Sequence, residues 1–265
     1  MLASGYWQDL TTRDFDRLDA EATVALLPVA AVEQHGPHLP LATDALINAG
    51  VVTRALELLP AGPCLLVLPA LTIGHSLEHR AYAGTLSAEA ESLLALWGQV
   101  GASVARSGVR RLILFNSHGG QSALVDLAAV RLRAEHRLFA VRASTFAFGA
   151  PEGLFDREEL AHGLHGGEVE TSLMLHLRPD LVRREALADF HGLPAQMAAA
   201  GGLLGPERPV GFGWMSQDLH PAGVCGNAAG ADAERGRVLL DHLAGCLVRL
   251  VGEVLALPLG VLTSR

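Results

Sequence analysis

The sequence predicts an α/β protein with a mostly parallel central sheet covered by helices on both faces. Short, almost wholly apolar runs alternate with long segments of helical spacing, and strands buried on both faces read as continuous apolar runs. The chain has 265 residues, half of them hydrophobic, enough for one sizeable core. No internal repeat or low-complexity linker divides it, so residues 1–265 are expected to form a single domain.

The elements follow in order. Residues 23–32 read as the first buried strand. Residues 44–59 have helical spacing, with Thr43 placed to cap them. Cys64-Leu65-Leu66-Val67-Leu68-Pro69 is a second short strand. Residues 88–107 form an amphipathic helix after Ser87, with Glu89 and Glu91 in its first turn and Gly108 as its stop. Arg111-Leu112-Ile113-Leu114-Phe115-Asn116 is a third strand, residues 121–136 are helical, and Leu138-Phe139-Ala140-Val141-Arg142-Ala143 is a fourth strand. Helices follow over 168–178 and from about Asp232 to Leu255. The Gly/Pro-rich stretch from Gly192 to Gly230 holds too few apolar residues for its own core and reads as loop.

Composition excludes several classes. All 20 basic residues are Arg. Without Lys there is no Schiff-base, pyridoxal-phosphate or P-loop lysine. Cys64, Cys225 and Cys246 are widely spaced, which disfavours a disulfide framework or a thiolate zinc site; each reads as a small buried apolar residue in a reducing cytoplasm. The net charge of −8 and the lack of a basic stripe disfavour nucleic acid as a partner. No apolar run approaches the roughly 18–20 residues of a membrane span, and the N-terminus lacks a signal-peptide pattern.

The polar clusters fall after strand ends, where parallel sheets place their sites. Glu33 and His35, two apart, share one side of an extended backbone, and Asp44 follows after a turn. Glu, His and Asp converging on one point are the usual ligands of zinc, manganese or iron. Further clusters are Gly74-His75-Ser76-Leu77-Glu78-His79, Asn116-Ser117-His118-Gly119-Gly120-Gln121, and His165-Gly166-Gly167-Glu168-Val169-Glu170-Thr171-Ser172. The glycines admit close backbone approach, and segments 118–121 and 165–168 place amide N–H groups near helix starts, where developing negative charge is stabilised. Blander readings exist: Glu78 and His79 as a hydrogen-bonded pair, Glu168 or Glu170 as helix-start acids, His38 as a loop residue beside the site. For Glu33, His35, Asp44 and His118 together a metal site is the stronger reading, because two acids at an apolar strand end are costly to desolvate without a counter-ion.

These motifs, in this order, resemble the creatininase (creatinine amidohydrolase) family from about residue 10 to 250, in a subgroup carrying His118-Gly119-Gly120. The resemblance implies a three-layer α/β/α fold and two divalent metal ions (Zn, Mn or Fe) per subunit. It also implies hydrolysis of a C–N bond in an amide, cyclic amide or formamide, and a homo-oligomer, often a hexamer. By position it implies that Glu33 and His118 bind one metal, that His35 binds the other and that Asp44 bridges them. Ser76 matches a substrate-contacting position, His165 a catalytic one, and Glu170 the carboxylate of a Glu-Thr-Ser signature. The creatinine-hydrolysing members carry Tyr and then Glu after the third-motif His, where this chain has Gly119 and Gly120. In those members that Glu completes the second metal site, so here the missing ligand is expected from Glu168 or Glu170, or the second metal is weaker. Those members also surround the substrate with tryptophans before the fourth motif, whereas the Trp here are Trp7, Trp97 and Trp214. The expected substrate is a small molecule or modified peptide other than creatinine, since the His-Gly-Gly version resembles relatives acting on formamides or on modified peptides.

The expected chemistry is attack on the substrate carbonyl by water activated between the metals, with His165 passing a proton to the leaving nitrogen and Glu170 orienting it. Ser76 and the Gly119 and Gly120 amides form the expected substrate-binding set, and Glu33, His35, Asp44, His118 and Glu168 the metal set. The alternative is a metal-stabilised binding or scaffold protein without catalysis.

Overall fold

The structure, a computed structural model, describes residues 5–62, 64–207 and 209–262. Its main sheet contains β1 (Gly5–Tyr6), β2 (Thr23–Val29), β3 (Cys64–Val67), β4 (Arg111–Asn116) and β5 (Phe139–Ser144), in the order β1-β3-β2-β4-β5. Every pairing in it is parallel. All residues of β2, β3 and β4 are buried, as their unbroken apolar runs require.

Five long helices cover the sheet: α1 (Thr43–Leu58), α2 (Ala90–Arg106), α3 (Ser122–His136), α4 (Glu168–Leu177) and α5 (Ala233–Ala256). Side-chain alternation along the strands separates two cores. Val24 and Leu26 of β2, with Ile113 and Phe115 of β4, pack against α1, α4 and α5 through Val51, Leu173 and Leu243. Ala25 and Leu27, with Leu112 and Leu114, meet α2 and α3 through Trp97 and Leu132. The result is an α/β/α sandwich. Burying each large apolar side chain contributes about 1.5–3 kcal/mol, so both cores are substantial.

Several boundaries differ from the sequence reading. The first strand's ladder ends at Val29 rather than residue 32, and the chain continues through the single bridges Val29–Leu71 and Val32–Leu86. Thr43 is the first residue of α1 and not its cap; its hydroxyl donates to the Pro40 carbonyl at 2.7 Å. The 192–230 stretch contains two short helices, Leu193–Ala200 and Ser216–Leu219. A ribbon of β6 (Asp189–Phe190) and β7 (Gly226–Asn227) buries a minor cluster of Phe190, Val224 and Ala228. No helix among the described residues is long and apolar enough to cross a membrane.

The amino-terminal edge of the sheet is fastened by Arg111. Its guanidinium is buried and donates to the Glu21, Val254 and Leu257 carbonyls. The clustered histidines lie at the opposite edge.

Candidate metal centre

β2 and β4 are neighbours whose onward connections leave in opposite directions, towards β3 and towards β5. A crevice opens at the carboxyl ends of strands that diverge in this way. Glu33 and His35 follow β2, His118 follows β4, and Asp44 stands in the first turn of α1. One turn along α1, the Asn48 amide donates to the Val29 and Phe115 carbonyls at 3.3 and 3.1 Å, clamping the two strand ends together. The Ser117 hydroxyl donates to the Asp44 carbonyl at 2.9 Å.

Four buried side chains meet there. His118 Nδ1 lies 3.2 Å from Glu33 Oε1 and 3.4 Å from Asp44 Oδ2. His35 Nε2 lies 3.5 Å from Asp44 Oδ1 and 3.9 Å from Glu170 Oε2. Asp44 thus faces one imidazole with each oxygen. Glu33, His35 and Asp44 offer ligand atoms within 4.8 Å of one another, and so do His35, His165 and Glu170.

Hydrogen bonds fix which ring nitrogen could serve a metal. A carbonyl only accepts, so a ring nitrogen bonded to one must carry the proton. His35 Nδ1 donates to the Glu33 carbonyl at 3.1 Å, His118 Nε2 to the His75 carbonyl at 2.8 Å, and His165 Nε2 to the Gln34 carbonyl at 2.7 Å. Each leaves its other nitrogen facing a carboxylate, the arrangement that orients metal-binding histidines. Glu33 Oε2, His35 Nε2 and Asp44 Oδ2 are buried without a hydrogen-bond partner. Orphaned acceptors of this kind, drawn from oxygen and imidazole donors, fit a divalent ion.

His79 behaves differently although it too lies near Glu33 and His165. The Gly36 amide donates to Gln34 Oε1 at 2.9 Å, which sets the orientation of the Gln34 amide. Gln34 Nε2 then donates to the Gly223 carbonyl and, at 2.8 Å, to His79 Nδ1. His79 Nε2 therefore carries the proton and points it at Glu33 Oε1, 3.4 Å away. We assign His79 to orienting Glu33 rather than to binding metal.

The sequence left Glu168 and Glu170 open as further ligands. Glu170 enters the cluster, held by the Gly166 amide on Oε2 at 2.6 Å. Glu168 does not: its carboxylate is paired with Arg235, and its backbone N–H donates to Glu159 Oε1 at 2.6 Å. The 165–168 amides expected to meet developing charge are therefore partly engaged by Glu170 and Glu159. Ser76 is buried with its hydroxyl 3.4 Å from His118 Nε2. Gly119 and Gly120 are exposed beside His118, and a Cβ at Gly120 would displace the Glu78 carboxylate from its present position.

Three participants escaped the sequence reading. Gln34, between Glu33 and His35, drew no role from the sequence. Glu78, read as half of a structural pair, lies 3.8 Å from both His118 Nε2 and His79 Nε2. Glu159 accepts from the Glu168 and Asn227 amides and so joins the His165 loop to β7. Gly163, Gly167 and Gly226 close around its carboxylate, a glycine spacing that was the available signal. The 216–225 segment is fastened around the site: the Ser216 hydroxyl donates to the Glu78 carbonyl, Tyr82 to the Pro221 carbonyl, and Cys225 bridges to His165.

The electrostatics match. Burial opposes charge on His35, but Asp44, Glu170 and Glu33 outweigh it and lift its pKa to about 9. His118 is raised well above its ordinary value by Glu33 and Asp44 against the same burial. Asp44, despite burial, is held low by His118 and His35. Burial, joined by the neighbouring His35 and His79, holds His165 well below its ordinary value. Burial raises Glu170 to about 7 although His35 pulls the other way. Protons on the two imidazoles and divalent cations would satisfy the same carboxylates.

Comparison with known proteins places this architecture in one family. The fold is that of the creatininases, and the creatininase (creatinine amidohydrolase) family model matches residues 8–251. The chain belongs to that family. It is 34% identical over 261 residues to the mycofactocin precursor peptide peptidase of Mycobacterium tuberculosis, covering 96% of this chain and 95% of the relative. It is 32% identical over 206 residues to the creatinine amidohydrolase of Pseudomonas putida, covering 71% and 78%. A solved creatininase mutant described as Zn-Zn type superposes with a TM-score of 0.76 at 27% identity, covering 96% of this chain and 99% of that one.

Proposed function

We propose that this protein is a divalent-metal-dependent amidohydrolase that cleaves the C–N bond of a modified or peptide-derived amide. The observation that carries this reading is the meeting of Glu33, His35, Asp44 and His118, each imidazole turning a bare nitrogen to a carboxylate. In this reading Glu33 and His118 hold one ion, His35 the other, and Asp44 both. Glu170, in place of Glu168, completes the His35 side, because Glu168 is committed to Arg235.

Divalent ions bound there supply Lewis acidity towards a carbonyl oxygen and lower the pKa of water. The protein's own groups do the rest. His165, fixed by the Gln34 carbonyl, keeps Nδ1 bare towards the crevice. It is neutral near pH 7 and accepts a proton at Nδ1 from the attacking water, then returns it to the leaving nitrogen. Ser76, with the Gly119 and Gly120 backbone beside it, lines the substrate's position.

Two facts favour a substrate other than creatinine. Trp7 and Trp97 belong to the α2–α3 core, and the Trp214 ring N–H is bonded to Glu207. The relatives matched over nearly the whole chain include a precursor-peptide peptidase. The test joins elemental analysis with a panel of C-terminally modified peptides, formamides, lactams and creatinine. Hydrolysis of a peptide-derived amide by protein carrying two ions per subunit is expected. Full metal loading with no turnover of any amide would leave a metal-stabilised binding or scaffold protein instead.

A further inference from the structure

We propose that Glu78 is an additional carboxylate ligand of the ion held by Glu33 and His118, and that glycine at 120 is the space it occupies. The inference rests on the two-ion reading above.

Glu78 sits on the 3-10 turn Leu77–His79 after β3, with only 14% of its side chain exposed. Its carboxylate faces two imidazoles at 3.8 Å, and neither satisfies it. His118 Nε2 gives its proton to the His75 carbonyl, and His79 Nε2 is closer to Glu33. A largely buried carboxylate left in this position needs a positive partner. Glu33, Glu78 and His118 offer ligand atoms within 4.8 Å of one another, and Glu33 Oε2 is a buried oxygen without a partner in the same place.

The backbone is arranged for this carboxylate. The Ser216 hydroxyl holds the Glu78 carbonyl at 3.1 Å. A Cβ at position 120 would coincide with Glu78 Oε1 and lie 2.8 Å from His118 Nε2. A side chain at 120 would therefore displace the Glu78 carboxylate from the position it takes here. With Glu78, four side chains would be available to hold the His118-side ion, Glu33, Asp44, His118 and Glu78, and three to hold the other, His35, Asp44 and Glu170. Closed sites of four ligands hold metal structurally, whereas sites with three leave room for water or substrate.

The test measures zinc and manganese binding to the full-length chain by elemental analysis and calorimetry, with cation-free melting as a check on folding. The wild type should bind two ions. Glu78→Gln, which keeps the volume, and Glu78→Ala should weaken one of the two by more than the roughly 10–100-fold that loss of a group merely supporting a ligand costs. Two tightly bound ions in Glu78→Gln and Glu78→Ala would overturn the inference and leave the two-ion reading standing. A wild type that binds no ion would overturn both.

Discussion

At the scale of single residues, the site is a set of donors whose roles are fixed by their hydrogen bonds. Asp44 faces both His35 and His118, so Asp44→Ala should lower metal content as well as hydrolysis; unchanged metal stoichiometry would reject its bridging place. His165 touches the cluster only through Nδ1, so His165→Ala should keep both ions and lower kcat by about 10²–10⁴-fold, the usual range for a positioned acid–base group. His38 supplies a pH test. It is buried, stacked on Phe190, and donates from Nε2 to the Gly166 carbonyl. Burial lowers its pKa to about 4, although the Gly166 bond works against that. The unfolded chain therefore binds this proton more readily than the folded one. The contribution is fully present above about pH 6.5 and is lost as pH falls towards 4. Between pH 7 and pH 5 the loss should reach about 2 kcal/mol at most. In urea melts of metal-loaded protein, His38→Gln should lose less stability than the wild type over that interval. Glu33, His35, Asp44 and His118 were legible at this scale because strand ends are readable and acids there are conspicuous. Gln34, Glu78 and Glu159 were not. Their roles depend on which carbonyl or amide another loop presents, and residue type does not carry that information.

At the scale of elements, the long ones were legible and the short ones were not. The apolar runs of β2, β3 and β4 and the five long helices announce themselves through burial. The two-residue strands β1, β6 and β7 offer no periodicity to read; they exist because a neighbouring backbone pairs with them. The Thr43 assignment failed because its hydroxyl found the Pro40 carbonyl instead of an amide within the helix. Helix packing also reaches the site. Gly236 of α5 presses on α4, where an added Cβ would overlap the Ser172 carbonyl. Gly236→Ala should force α4 and α5 apart and destabilise the protein by about 1–3 kcal/mol. Since α4 carries Glu170, metal affinity should fall along with the melting temperature, and a variant that melts normally would show that this contact is not tight.

At the scale of the whole molecule, α/β class and helix coverage follow from alternation, and the crevice follows from where strand order reverses. The strand order itself was not readable, because pairing of β2 with β4 is decided by packing between distant segments. The same packing would make cation binding a property of the fold, because Glu33, Asp44 and His118 are brought together by the two strand ends and α1. Cations should therefore stabilise the folded chain, by about 2.7 kcal/mol at a hundredfold excess over the dissociation constant. A chelator titration followed by thermal melting checks this; a melting temperature indifferent to zinc would contradict it.

Residues 216–225 are tied to the site at Ser216, Pro221, Gly223 and Cys225, while the stretch just before them turns Leu203, Leu204 and Val210 outward. Gly223 orients Gln34, and Cys225 bridges to His165. Rewriting 216–225 should therefore disturb the clustered histidines, whereas changes at Leu203, Leu204 and Val210 should spare them.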